Sequence, residues 1–182
     1  MRNLTFIMMI LLITLLMIGC AESPTVELSF ELDADGNYKG FQDLPESYTT
    51  EQAIQDGCYV RVDSKTVGGE EAWDDFLAQS AEGKDVGIRI VNYYDDTVYY
   101  SDLFYDDGFY RIFDSSSEDL QDDKYHHLIQ SEDTLPNAAR SGSVTILTDD
   151  ETLTYLDVMW TFLSSDSRYS ETISPFKLIM LN

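Results

Sequence analysis

Apolar and polar residues alternate with period two over Val26-Glu27-Leu28-Ser29-Phe30-Glu31-Leu32, the pattern of a strand with one buried face. Asp35-Gly36 then offers the positive φ of a tight turn, with Tyr38 and Phe41 on the return arm. Thr49-Thr50-Glu51-Gln52 has the form of a capping box, so a short helix is predicted, stopped at Gly57. Cys58-Tyr59-Val60-Arg61-Val62 reads as the next strand. Gly68-Gly69 leads into the clearest helix, Glu70 to about Gln79, where Glu70 and Glu71 favour the positive end of the helix dipole. Trp73, Phe76, Leu77 and Ala81 recur every three or four residues as one apolar stripe, Asp74 and Asp75 take the opposite face, and Gly83 ends the element.

Three strands follow in series. Val86 to Tyr94 sets Val86, Ile88 and Ile90 against Arg89, Val91 and Tyr93; Asp95-Asp96 turns it into Thr97 to Tyr105; Asp106-Asp107-Gly108 turns that into Phe109 to Phe113. Ser115 to Tyr125 is polar and reads as a loop or loose helix, and Pro136-Asn137 marks a turn. Val144 to Thr148 reads as a strand. Thr154-Tyr155-Leu156-Asp157 suits a helix start, with Leu156, Met159, Trp160 and Leu163 on one face, while alternation of Leu156, Val158, Trp160 and Phe162 leaves a long strand open. Phe176 to Leu181 closes the chain as a buried strand. The order predicts an α+β fold in which an antiparallel meander packs against two or three helices.

The amino end has a different pattern. Arg2 precedes an apolar run from Leu4 to Ile18, interrupted only by Thr5 and Thr14. The run is short for a membrane span and suits a signal peptide. It ends in Leu16-Met17-Ile18-Gly19-Cys20, which resembles the lipobox of bacterial lipoproteins, with Met17 in place of the usual leucine. That resemblance implies removal of residues 1–19 and acylation of the Cys20 thiol by diacylglycerol and palmitate-like chains. Two or three chains on one residue hold a protein stably on a bilayer. The expected organisation is therefore a leader over 1–19, a lipidated Cys20 with a short tether over 20–25, and one domain over 26–182. The expected location is the extracytoplasmic face of the cell membrane, with the membrane itself as the first partner.

Charge narrows the choice of partners. Among 182 residues, 34 are Asp or Glu and 11 are Lys or Arg, a formal charge of −23. Such a chain lacks the basic cluster that displaces counterions from nucleic acid. With 43% hydrophobic and 13% aromatic residues it is still too apolar for a disordered acidic tail. Once Cys20 is acylated, Cys58 is the one thiol left, read as a buried small hydrophobe in preference to a reactive group.

Candidate chemistry is sparse. Asp33-Ala34-Asp35-Gly36-Asn37 opens like a calcium loop, but its glycine comes at the fourth position and Leu44 stands where a bidentate Glu is needed. These residues, like Asp95-Asp96, Asp106-Asp107 and Asp149-Asp150, read as turn formers, leaving only weak divalent-cation binding by the summed field. His126 and His127 are adjacent, and neighbouring side chains on a regular element diverge where zinc needs three or four converging ligands. Ser141-Gly142-Ser143 has no histidine beside it, and no acidic pair stands out for hydrolysis. No cofactor is expected, and a non-enzymatic role is favoured over an envelope hydrolase using carboxylates or a small exported inhibitor.

Glu51-Gln52-Ala53-Ile54-Gln55-Asp56-Gly57, the Trp73–Phe76 helix, Ile88-Arg89-Ile90 with Tyr93, Tyr99-Tyr100-Ser101-Asp102-Leu103 and Tyr105-Asp106-Asp107-Gly108 together resemble a group of small Gram-positive lipoproteins that carry a domain of unknown function. The similarity runs from Tyr48 to about Ser116. It implies a cell-surface setting and the order of elements, and it brings no catalytic or ligand residues. The favoured role is a surface binding or accessory module for an extracellular protein or ligand, with Tyr93, Tyr99, Tyr105 and Tyr110 as candidate contact aromatics, since tyrosine gives rigid contact area with a polar tip.

Overall fold

The structure is a computed structural model that describes residues 28–45, 47–136, 138–165 and 171–182. The expected leader, Cys20, the tether and Asn137 of the expected turn lie outside the described residues. The elements in chain order are α1 (Thr50–Gln55), β1 (Tyr59–Val62), β2 (Lys65–Gly68), α2 (Glu70–Ala81), β3 (Val86–Tyr94), β4 (Thr97–Asp106), β5 (Phe109–Asp114), β6 (His127–Asp133), β7 (Gly142–Thr148), α3 (Tyr155–Leu163) and β8 (Phe176–Leu181). The fold is α+β, with a five-stranded sheet ordered β2-β1-β3-β4-β5 and a three-stranded sheet ordered β6-β7-β8.

Local chemistry sets the starts and stops. At α1 the Thr49 hydroxyl accepts from the Gln52 backbone N–H and the Gln52 side chain accepts from the Thr49 N–H, at 3.2 and 3.1 Å. At α3, Thr154 and Asp157 form the same reciprocal cap, which decides that stretch in favour of the helix. Asp63 and Ser64 both take positive φ (47° and 65°) and close the β1–β2 hairpin in two residues. Asp107 and Gly108 do the same between β4 and β5.

The meander β3-β4-β5 is antiparallel as expected, but β1 lies parallel to β3, with Tyr59 opposite Ile90 and Val62 opposite Tyr93. The first sheet is thus mixed. Parallel neighbours need a long crossover, and here the hairpin strand β2 and helix α2 supply it.

Both faces of this sheet are covered. Ile88, Ile90, Leu103 and Ile112 pack with Trp73 and Phe76 of α2 and with Leu147 and Met180 of the second sheet. On the other face, Val60 and Val91 lie under Ala53 of α1, and Phe104 and Phe113 lie under Tyr38. The second sheet turns Val144 and Ile146 toward Tyr155 and Val158 of α3.

Three expectations are corrected, and one strand is added. The run 28–32 forms no strand; Leu28 and Phe30 lie across the sheet face against Phe104 and Phe113, and only Leu32 bridges Tyr38. Its alternation records side-chain burial without a ladder. On α2, Ser80 takes the buried place expected of Ala81, its hydroxyl satisfied by the Leu77 carbonyl at 3.1 Å. On α3, Tyr155 and Val158 are buried while Trp160 and Leu163 are exposed, because the helix presents its first turns to the second sheet. Strands β7 and β8 stand where the sequence placed them, while β6, which joins them in a second sheet, had no counterpart in the sequence reading.

Candidate functional site

Strand alternation separates the four candidate tyrosines. Tyr93 shares the face of Val91, packs beside Cys58 and Tyr100, and donates its hydroxyl to the Tyr48 carbonyl at 2.9 Å. Tyr99, Tyr105 and Tyr110 belong to the opposite face. Tyr105 and Tyr110 are cross-strand partners with ring centroids 4.8 Å apart, and Tyr110 packs on the main core. Tyr99 is six residues from Tyr105 along β4, about 20 Å at strand rise. The four therefore make no common surface.

Tyr99 has other company. Register places Arg61 of β1 beside Asn92 of β3, and Asn92 opposite Tyr99 of β4, a polar row across three strands. This row lies at the hairpin end of the sheet face whose middle is core. Leu178, Ile179 and Leu181 of β8 close over it, leaving a crevice of about 230 Å³ between the two sheets. Tyr94 and Tyr99 stand at its mouth, 39% and 38% exposed, with ring centroids 6.2 Å apart. Ser64, held at positive φ, brings its hydroxyl within 3.0 Å of the Tyr94 hydroxyl.

Arg61 helps line this crevice and is only 4% exposed. One terminal nitrogen donates to the Ser64 carbonyl, the Leu181 carbonyl (3.1 Å) and the Asn182 side-chain oxygen (2.6 Å). Its Nε has no hydrogen-bond partner among the described residues. Burial pulls its pKa below the ordinary arginine value, partly offset by the nearby Tyr59 and Tyr94. The neighbouring Asp114 is occupied elsewhere, accepting from the Ser101 hydroxyl at 2.6 Å and pairing with Lys177 at 3.3 Å.

The other polar clusters are internally matched. Over the opposite sheet face, clefts of about 360 and 520 Å³ share Arg89 and Asp43 in their walls. There Arg89 is paired with Asp102, which also accepts from the Tyr38 hydroxyl at 2.8 Å. Arg111 is paired with Asp106 at 3.0 Å and Asp122 at 2.8 Å; the Asp122 contact is Coulombic, since its N–H is not aligned as a hydrogen bond. Cys58 is 1% exposed, and burial raises its thiol pKa. Asp33, first residue of the calcium-like loop, spends one carboxylate oxygen on the backbone N–H groups of Asp35 and Asn37. His126 lies 2.7 Å from Asp149 on the surface. Among the described residues, no group of three or more His, Cys, Asp or Glu side chains is placed to hold a metal ion. No helix among them is long and apolar enough to cross a membrane.

The sequence reading singled out Tyr99 and missed Arg61, Asn92 and Tyr94. Strand alternation puts Tyr94 and Tyr99 on one face, diagonal to each other across the strands, once the turn at Asp95-Asp96 is accepted. Nothing local marks Arg61, because its neighbours come from a parallel pairing and from a strand 120 residues away. Set beside known protein families, characterised proteins and solved structures, the chain matches none of them.

Proposed function

We propose that the protein is a lipid-anchored extracytoplasmic binding module, with the cell-surface setting that its resemblance to small Gram-positive lipoproteins implies. Acyl chains on Cys20 hold it on the membrane, and the crevice between the sheets receives a small ligand or a short partner segment. The observation that carries the binding reading is the placement of two exposed tyrosines, Tyr94 and Tyr99, over a buried arginine. Exposed aromatic rings beside a recess give contact area at little conformational cost, and polar groups within the recess fix orientation. The apolar run ending at Gly19-Cys20 supports the anchor.

Two measurements test the two halves. Intact mass of the chain from membranes is expected to lack residues 1–19 and to carry diacylglycerol on Cys20, with Cys20→Ala releasing it from the membrane fraction. Retained Met1 and an unmodified sulfur would remove the anchor. For the crevice, ¹⁵N spectra of the full chain in detergent micelles are recorded with a mixture of N-acetyl amino acids, their amides, and mono- and disaccharides. Signals of Ser64, Asn92, Tyr94 and Tyr99 are expected to move together. If none of them moves with any member of the mixture, the crevice is not the binding site.

A further inference from the structure

Resting on that binding reading, we infer that the crevice recognises a carboxylate, with the Arg61 guanidinium as its counter-charge. Among the described residues, three arginines are largely withdrawn from water. Arg89 has Asp102, and Arg111 has Asp106 and Asp122. Arg61 has two backbone carbonyls and one amide oxygen, all neutral, and no carboxylate among the described residues within ion-pair distance. A buried charge without a counter-charge is costly, and arginine does not escape by losing its proton. Shortage of acid is not the reason, for the chain has 34 carboxylate side chains against 11 basic ones. The one acidic side chain among the described residues lining the crevice, Asp114, is paired with Lys177.

The surroundings suit a carboxylate on a compact body. The Nε of Arg61 is without a partner among the described residues, so donor capacity remains on the guanidinium. The Asn92 amide sits beside Arg61 in register, and the hydroxyls of Ser64 and Tyr94 meet at the rim. These neutral donors match the several lone pairs of a carboxylate. Rings of Tyr94 and Tyr99 are open to pack on a planar or aliphatic group next to the acid. At about 30 Å³ per water, 230 Å³ holds the equivalent of about eight waters, enough for one or two amino-acid-sized groups. The shared chemistry is a carboxylate flanked by an apolar group, found both in free small organic acids and at the carboxyl terminus of a peptide.

The test is calorimetric titration of the full chain in detergent micelles with four probes: N-acetyl-tyrosine, its carboxamide, the tripeptide Gly-Gly-Tyr, and the tripeptide amide. Each acid is expected to bind at least about tenfold more tightly than its amide, the difference a charge-assisted contact supplies. Tyr99→Ala, an exposed substitution that leaves Arg61 in place, is expected to weaken the acids by about tenfold, a lost aromatic contact. Arg61→Lys is expected to keep the preference for acid over amide, whereas Arg61→Gln abolishes it; the thermal midpoint of each variant without ligand reports any loss of fold separately. Binding of both acids assigns the site to small organic acids in general, and binding of the tripeptide alone assigns it to peptide termini. Acid and amide binding equally well would overturn the inference while leaving a binding crevice intact. Failure of all four probes would overturn it as well. Saccharide shifts at Tyr99 in the ¹⁵N experiment would then show that the broader reading survives.

Discussion

Arg89 and Asp102 face each other in register across β3 and β4 and are joined by two hydrogen bonds, Nε to Oδ1 at 2.7 Å and a terminal nitrogen to Oδ2 at 2.6 Å. Asp102 is completely buried and Arg89 nearly so. The Tyr38 hydroxyl donates to Asp102 Oδ2 and the same terminal nitrogen of Arg89 donates to the Gly40 carbonyl, which ties residues 38–40 onto the sheet. Breaking such a pair leaves one charge stranded, so Arg89→Met is expected to cost about 3–5 kcal/mol. Replacing both partners with apolar residues is expected to recover most of that loss. Urea midpoints of the single and double variants measure it, and a single variant as stable as the parent would show that the pair is not what holds residues 38–40.

Alkali is expected to unfold the protein. Burial raises the Cys58 thiol above its ordinary 9.0 and the Tyr38, Tyr48, Tyr93 and Tyr100 phenols above their ordinary 10.0, Tyr93 to about 12. Each of these groups keeps its proton in the folded chain at a pH where the unfolded chain has lost it. Their contribution is therefore complete below about pH 9 and lost as pH climbs from 9 toward 12. All five lie on one face of the first sheet, around α1 and the segment leading into it. Denaturant midpoints measured between pH 8 and 11 should fall steadily over the upper two units; a constant midpoint to pH 11 would contradict this packing.

How far the sequence spoke depends on the range of the interaction. Capping boxes at Thr49 and Thr154 and the Asp107-Gly108 turn involve residues within three or four positions, and all three were legible. So were the two faces of β3, because alternation is local. The parallel pairing of β1 with β3 was not, since β1 reads the same whichever neighbour it takes. Strand β6 is His-Leu-Ile-Gln-Ser-Glu-Asp, too polar to announce itself, and it is held by its ladder with β7. The crevice depends on the parallel pairing and on the arrival of β8. Tyr99 was therefore visible as an aromatic on a strand, and Arg61 was not visible as anything but a strand residue.

Two glycines separate conformational from steric demands. Gly108 has φ +81° with open space where a Cβ would stand, so Gly108→Ala is expected to cost about 1–2 kcal/mol, the strain of a left-handed residue alone. Gly69, at φ +84° before α2, would drive a Cβ into the Cys58 carbonyl and the Tyr59 backbone. Strain and overpacking add there, and Gly69→Ala is expected to cost on the order of 3–4 kcal/mol or to prevent folding. Equal losses for the two variants, read by thermal melting, would mean that α2 can shift away from β1.

Thiol titration tests the fold and the proposed anchor in one experiment. The sequence holds two cysteines, Cys20 and Cys58. Cys58 is packed among Ala53, Val60, Val91 and Tyr100, and its Sγ lies 3.7 Å from the Tyr48 hydroxyl. A thiol so enclosed, with its pKa raised by burial, offers almost no thiolate to an aqueous disulfide reagent. The folded Cys20→Ala protein is therefore expected to react only at the rate at which the chain opens. In denaturant, one thiol per chain should react if Cys20 is acylated, whereas the Cys20→Ala chain should give the same count for a different reason. An unprocessed chain would give two. Rapid reaction of one thiol in the folded Cys20→Ala protein would mean that Cys58 is accessible, contrary to the closed packing beneath α1.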